Sequence, residues 1–239
     1  MNKKFLMGLA ALSSMAIAAP AMADQITLGS GDIGTAFTLN YDGYSSGTSV
    51  DGLTGSTTFT LTGVSGNDYS FDYSVTNTSS APVTGSRISS FAFNSDPTIA
   101  GATSTGAFSY TTLMSNYPNG IGTVDVCFKD ASTGSCSGGG SGGLDLGQTG
   151  TGSFTLSFSQ PVAQLTLSDF FLRYQSIEGV PGITSASGSG TMTSTSTSSG
   201  GTPVPEPGML ALFGLGLAGL ALSRKQFLPS SRGRRLAAA

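Results

Sequence analysis

Between positions 24 and 183 the chain alternates apolar and polar residues with period two in one short run after another, and few folds accept that pattern. The runs are AFTLNY (36–41), TTFTLTGV (57–64), YSFDYSV (69–75), ISSFAF (88–93), TVDVCF (123–128), SFTLSF (153–158) and LTLSDFFLRY (165–174). Successive side chains of a strand point to opposite faces, so each run reads as a half-buried strand. Thr, Val, Phe and Tyr dominate them, the residue types that pack well on a pleated surface. Turn signals stand between the runs, at Asp42-Gly43, Asp51-Gly52, Gly66-Asn67-Asp68, Asp96-Pro97 and Asn119-Gly120. No window of helical period and useful length occurs here. The pattern predicts an all-β fold, a single β-sandwich or jelly-roll-like domain of roughly nine strands over 24–183. That length is ample for one hydrophobic core.

Charge is distributed unevenly. Seven of the ten Lys and Arg residues lie near the two ends, which leaves Arg87, Lys129 and Arg173 against twelve carboxylates between Asp24 and Pro203. The body therefore carries 3 − 12 = −9. Phosphate binding depends on clustered Lys and Arg, so nucleic acid is excluded as a partner of such a surface. The chain has no histidine and no tryptophan. Without histidine it lacks the commonest general base and the usual zinc ligand, so no catalytic residue, metal site or cofactor is assigned.

The N-terminus reads as an export signal over 1–23. Lys3 and Lys4 precede an apolar stretch from Phe5 to Ala19, and Ala21-Met22-Ala23 gives the small-x-small pattern for cleavage between Ala23 and Asp24 by a signal peptidase. At the other end the composition breaks. Of the 19 residues 184–202, 17 are Gly, Ser or Thr. The reading is a flexible linker over 184–203, with an r.m.s. reach of roughly 25 Å.

VPEPGMLALFGLGLAGLALSRK follows. Its GLGLAG matches a dinucleotide fingerprint letter for letter, but that fingerprint works only after a strand and at the start of a helix. Here it sits inside a continuous apolar run from Met209 to Leu222, with no acidic residue after Glu206. The run reads instead as a short transmembrane helix, a few residues below the usual ~20. Arg224 and Lys225 close it and keep the tail, 226–239, cytoplasmic.

VPEP, a short Gly/Leu-rich apolar helix and a basic cluster together resemble the PEP-CTERM sorting signal of exopolysaccharide-producing Gram-negative bacteria, here over 204–225. The resemblance implies recognition through Val204, Pro205, Glu206 and Pro207 by an exosortase, a membrane-embedded, cysteine-dependent transpeptidase that removes the helix and tail. It implies export across the inner membrane, transient anchoring by the C-terminal helix, and a final place at the cell surface or in the extracellular matrix. Exopolysaccharide is the partner that such a destination suggests. The two prolines hold the motif extended and out of the helix. The tail departs from the usual pattern by carrying a second cluster, Arg232, Arg234 and Arg235.

Cys127 and Cys136 are the only cysteines. In an exported chain an even count reads first as a disulfide. Closing so short a loop is worth roughly 2.5–3 kcal/mol in the chain-entropy account. The glycine-rich SGGGSGGLDLG after Cys136 lacks the Lys-Ser/Thr of a phosphate loop and reads as a flexible strand connection. ISSFAF…DP, VDVCFKDASTGSCSGGGSGGL and LTLSDFFLRYQSIEG resemble the cistern family of PEP-CTERM proteins, a resemblance that implies architecture and destination without an activity.

The leading functional expectation is a non-catalytic surface or biofilm-matrix protein. The alternative is an extracellular carbohydrate- or calcium-binding module, with Asp42, Asp51 and Asp68 beside turn glycines as calcium candidates; aspartates at turns more often satisfy local backbone donors. A carboxylate glycosidase drawing on Asp72, Asp125, Asp169 or Glu178 comes last, since it needs two carboxylates about 5–10 Å apart across a cleft.

Overall fold

A computed structural model describes residues 24–133, 135–138 and 142–196. Within them the alternating runs become strands, with two short 3-10 segments (Ser30–Asp32 and Gly106–Phe108) and no α-helix. The strands are β1 (Gln25–Gly29), β2 (Ala36–Ser45), β3 (Thr48–Ser65), β4 (Asp68–Asn77), β5 (Gly85–Asp96) and β6 (Gly101–Ser104). They continue with β7 (Tyr110–Tyr117), β8 (Gly122–Lys129), β9 (Leu144–Asp145), β10 (Thr149–Ser157), β11 (Gln164–Glu178) and β12 (Ser185–Ser196).

All twelve belong to one antiparallel sheet, in the order β6-β10-β4-β3-β2-β12-β11-β5-β8-β7, with β1 beside β11 and β9 beside β5. The expectation of two separate sheets and about nine strands thus gives way to a single sheet of twelve that curls on itself. Its two edges nearly meet, where Thr111 Oγ1 of β7 donates to the Ala102 carbonyl of β6 at 3.0 Å. Bulges supply the bend: the register shifts in β2 at Asp42/Tyr44, in β3 at Leu61/Gly63 and in β12 at Met192/Ser194.

The core is aromatic. Phe59 of β3 lies within 5.4–6.2 Å, ring centroid to centroid, of Phe37, Phe91, Phe93, Phe154 and Phe170. Rings of five strands therefore meet across the interior. Phe108, from the 3-10 segment that joins the two edges, plugs the remaining gap and donates its N–H to Tyr73 Oη at 2.8 Å. One bulge decides the phase of β11. Asp169 takes a φ of 53°, and the register shifts between Ser168 and Phe171. Leu165 and Leu167 before it, and Phe170, Leu172 and Tyr174 after it, can then all face the core.

The expected linker is corrected by β12. Residues 185–196 form a strand that pairs with β11 from Phe171↔Ser189 to Gln175↔Ser185, and with β2 from Ser187↔Tyr44 to Ser196↔Ala36. Ala186, Ser187 and Gly188 are buried. Its alternation is invisible in the sequence because both phases are small. Neighbouring rings occupy the volume that its side chains would otherwise fill. Two expected turns are corrected as well: Asp42-Gly43 and Asp51-Gly52 lie inside β2 and β3, whose hairpin turns at Ser46-Gly47. At Gly43 a Cβ would fall 2.4 Å from Leu53 Cδ2, so glycine serves close packing there.

Candidate functional site

The sheet is buried on both faces along β5. Ile88, Phe91 and Phe93 enter the main core, while Ala92 joins Tyr117, Val124, Cys127 and Cys136 in a second small cluster. The connection between β8 and β9 covers that second face. The expected disulfide is present, Cys127–Cys136, with Cα atoms 6.3 Å apart and both residues buried. Two arginines of the body hold described residues of this connection. Arg173 Nε donates to the Ser137 carbonyl at 2.7 Å and its Nη1 to the Ala186 carbonyl at 2.9 Å. Arg87 reaches the Gly142 carbonyl, Ser176 Oγ and Gln175 Oε1. Lys129, opposite Ser90, is buried to 9 % exposure. Burial lowers the pKa of Arg173 from the usual guanidinium range, an effect that nearby Tyr117 opposes. Asp130, next along the segment, has its pKa raised by desolvation, and its Oδ2 has no hydrogen-bond partner. Backbone carbonyls of Ser137, Ala186 and Gly142 thus solvate the two guanidinium groups, of which only that of Arg173 is buried.

Concave surface occurs at both ends of the sheet. At the end where β11 turns into β12, a groove of about 610 Å³ runs along Ile177, Glu178, Val180, Pro181, Ile183 and Thr184. A pocket of about 290 Å³ adjoins it, lined by two carboxylates, Asp145 and Glu178, with the hydroxyls of Ser86 and Ser176. Sequence reasoning missed Asp145, since only the β5–β9 pairing Arg87↔Asp145 brings it there. At the opposite end, a groove of about 490 Å³ lies between Pro97-Thr98 and the residues 158–164.

Two of the carboxylates singled out earlier hold neighbouring strand residues, one through the backbone and one through a side chain. Asp125 Oδ2 accepts from Ser95 N at 2.8 Å, and Asp169 Oδ2 accepts from Asn94 Nδ2 at 3.1 Å. Asp72 is exposed on β4. The calcium candidates do not converge: Asp42 and Asp51 lie on the two arms of one hairpin, while Asp68 pairs with Ser65 at the far end of the 18-residue β3. Among the described residues no group of three or more His, Cys, Asp or Glu could hold a metal ion.

Asp24 lies where β12 parts from β11, and its Oδ2 accepts from Met192 N. Ala23, Val204, Pro205, Glu206, Pro207, the run from Met209 to Leu222, Arg224 and Lys225 lie outside the described residues. Among the described residues no helix is long and apolar enough to cross a membrane.

The body is thus a disulfide-stapled all-β domain. The C-terminal segment places it further: residues 203–225 match the PEP-CTERM protein-sorting motif, which supports a PEP-CTERM protein. That motif implies processing by an exosortase and indicates export to a cell-surface or extracellular destination. No curated protein and no solved structure matches the chain.

Proposed function

We propose that this chain is an exported, non-catalytic protein of the cell surface or exopolysaccharide matrix. The single observation that carries the reading is the sorting motif at 203–225. In this reading a signal peptidase cuts before Asp24, the run from Met209 to Leu222 anchors the chain transiently, and exosortase cleavage near Val204–Pro207 releases the body. The resemblance to the cistern family of PEP-CTERM proteins belongs to the same proposal. Support comes from the carboxylates: Asp125 and Asp169, on the strands either side of β5, accept hydrogen bonds from Ser95 N and Asn94 Nδ2. The experiment is C-terminal peptide mass spectrometry on the mature protein from its native host. The expected chain begins at Asp24 and ends within 204–207. A chain that retains Met209–Ala239 overturns the reading.

One observation favours a second reading, carbohydrate binding. Asp145 and Glu178 line a single pocket together with Thr84, Ser176 and Leu146, and carboxylates are strong acceptors for sugar hydroxyls. Titration calorimetry with host exopolysaccharide should give a binding heat that Asp145→Asn with Glu178→Gln abolishes. Release of reducing ends by the wild-type protein would move the reading to an enzyme.

A further inference from the structure

We propose that the end of the sheet from which β12 exits is a docking surface for the exosortase. This rests on the sorting reading above. β12 ends at Ser196, opposite Ala36. The VPEP of the sorting motif begins at Val204, so the seven residues 197–203 separate it from the sheet. Covalent geometry limits seven residues to about 25 Å whatever path they take. The twelve residues of β12 are themselves about 40 Å long at ~3.3 Å per residue. The motif itself therefore stays closer to the exit end than to the groove lined by Glu178, and an enzyme that grips it works against the exit end of the folded domain.

The chemistry of that end fits a protein partner. Ile33, three residues before Ala36, is 43 % exposed and is one of four large hydrophobic residues so exposed among those described. At the same end the groove of about 490 Å³ is lined by Pro97, Pro161 and Val162 together with Thr98, Gln160 and Gln164, and has no charged side chain in its lining. Tyr69 Oη donates to the Val162 carbonyl at 3.0 Å and fixes that loop to β4. Four carboxylates lie at this end: Asp32 is engaged with Gly29 N and Asp24 with Met192 N, while Asp96 just before Pro97 and Asp68 opposite Ser157 are exposed. In a body that carries nine net negative charges, an uncharged, partly apolar groove at the end where β12 exits marks a surface selected for contact. The occupant is the outward face of the exosortase, because the short spacer brings that face against it.

The test is the rate of C-terminal processing in the native host, followed by pulse-chase. The variant Ile33→Lys with Gln160→Lys places charge on two exposed positions of the exit end; Leu146→Lys does the same at the opposite end. The double variant should be processed roughly tenfold more slowly, the equivalent of about 1.4 kcal/mol, and Leu146→Lys at the wild-type rate. A photocrosslinker at position 160 should capture the exosortase, and one at 146 should not. This second measurement decides the matter if the double variant fails to fold. Wild-type processing of the folded double variant, or capture from both positions alike, overturns the docking surface and leaves sorting intact. Capture of lipid alone overturns it in favour of the bilayer. An uncleaved wild-type chain overturns the sorting reading, and the docking surface with it.

Discussion

Gly188→Val separates two opposite expectations about β12. Gly188 sits opposite Leu172 of β11 and Gly43 of β2. Local preference favours the substitution, since valine exceeds glycine in strand propensity by up to about 1 kcal/mol. Packing opposes it. A Cβ at position 188 would stand 2.9 Å from Tyr174 Cε2 and 3.2 Å from Tyr41 Cβ. Both tyrosines are buried, at 0 % and 1 % exposure, so neither ring can swing into solvent. Overpacking of a filled core costs about 1–3 kcal/mol, and the two methyl groups beyond Cβ place valine in the upper part of that range. The net expectation is a loss of about 1–2 kcal/mol, or roughly 2–8 °C in Tm for a domain of this size. Thermal unfolding of the mature protein by circular dichroism reads it directly. Ser194→Val, at an exposed position of the same strand, is the control and should leave Tm unchanged or slightly raised. A Gly188→Val protein as stable as wild type would refute the packing of β12 between Tyr41 and Tyr174.

Two further outcomes follow from the stapled segment. Replacing Cys127 and Cys136 together by Ser should cost roughly 2.5–3 kcal/mol in urea unfolding, and an unchanged midpoint would mean that the arginine contacts alone hold the segment. Asp130→Asn should stabilise the protein at neutral pH. The pKa of Asp130 is raised in the folded state, chiefly by desolvation, so its contribution favours folding below its unfolded pKa and is lost as pH rises through the folded value. The gain from the substitution should therefore fade as pH falls towards the ordinary carboxylate range. A gain that persists in acid would point to a cause other than ionisation.

The strands legible in the sequence were those in which a large apolar residue alternates with a polar one. AFTLNY, YSFDYSV and LTLSDFFLRY fall within β2, β4 and β11. β12 escaped because Ser-Ala-Ser-Gly-Ser-Gly offers no contrast between its faces, and the reason lies in its neighbours' rings. The bulge at Asp169 escaped for a related reason. Phe170 and Phe171 are both apolar, and only the fold sends one to the main core and the other towards Tyr117. The disulfide was legible from composition alone. The use of Arg87 and Arg173 to hold this connection was not, because the groups they meet on it are the backbone carbonyls of Gly142 and Ser137, and every residue has a carbonyl. Asp145 and Glu178 are 33 residues apart in sequence, and nothing local marks them as neighbours.

The place of β12 between β2 and β11 also sets a timetable. Antiparallel pairing of Ala36 with Ser196 is among the least local contacts a chain of this length can make, and such contacts slow folding. During synthesis β2 emerges early, yet one of its two neighbours in the sheet is β12, the last strand among the described residues. β11 likewise waits for β12 on its other side. The sheet is not continuous from β2 to β11 until residue 196 is in place, and seven residues then remain before the VPEP of the sorting motif. Completion of the fold and delivery of the cleavage signal are therefore nearly simultaneous events.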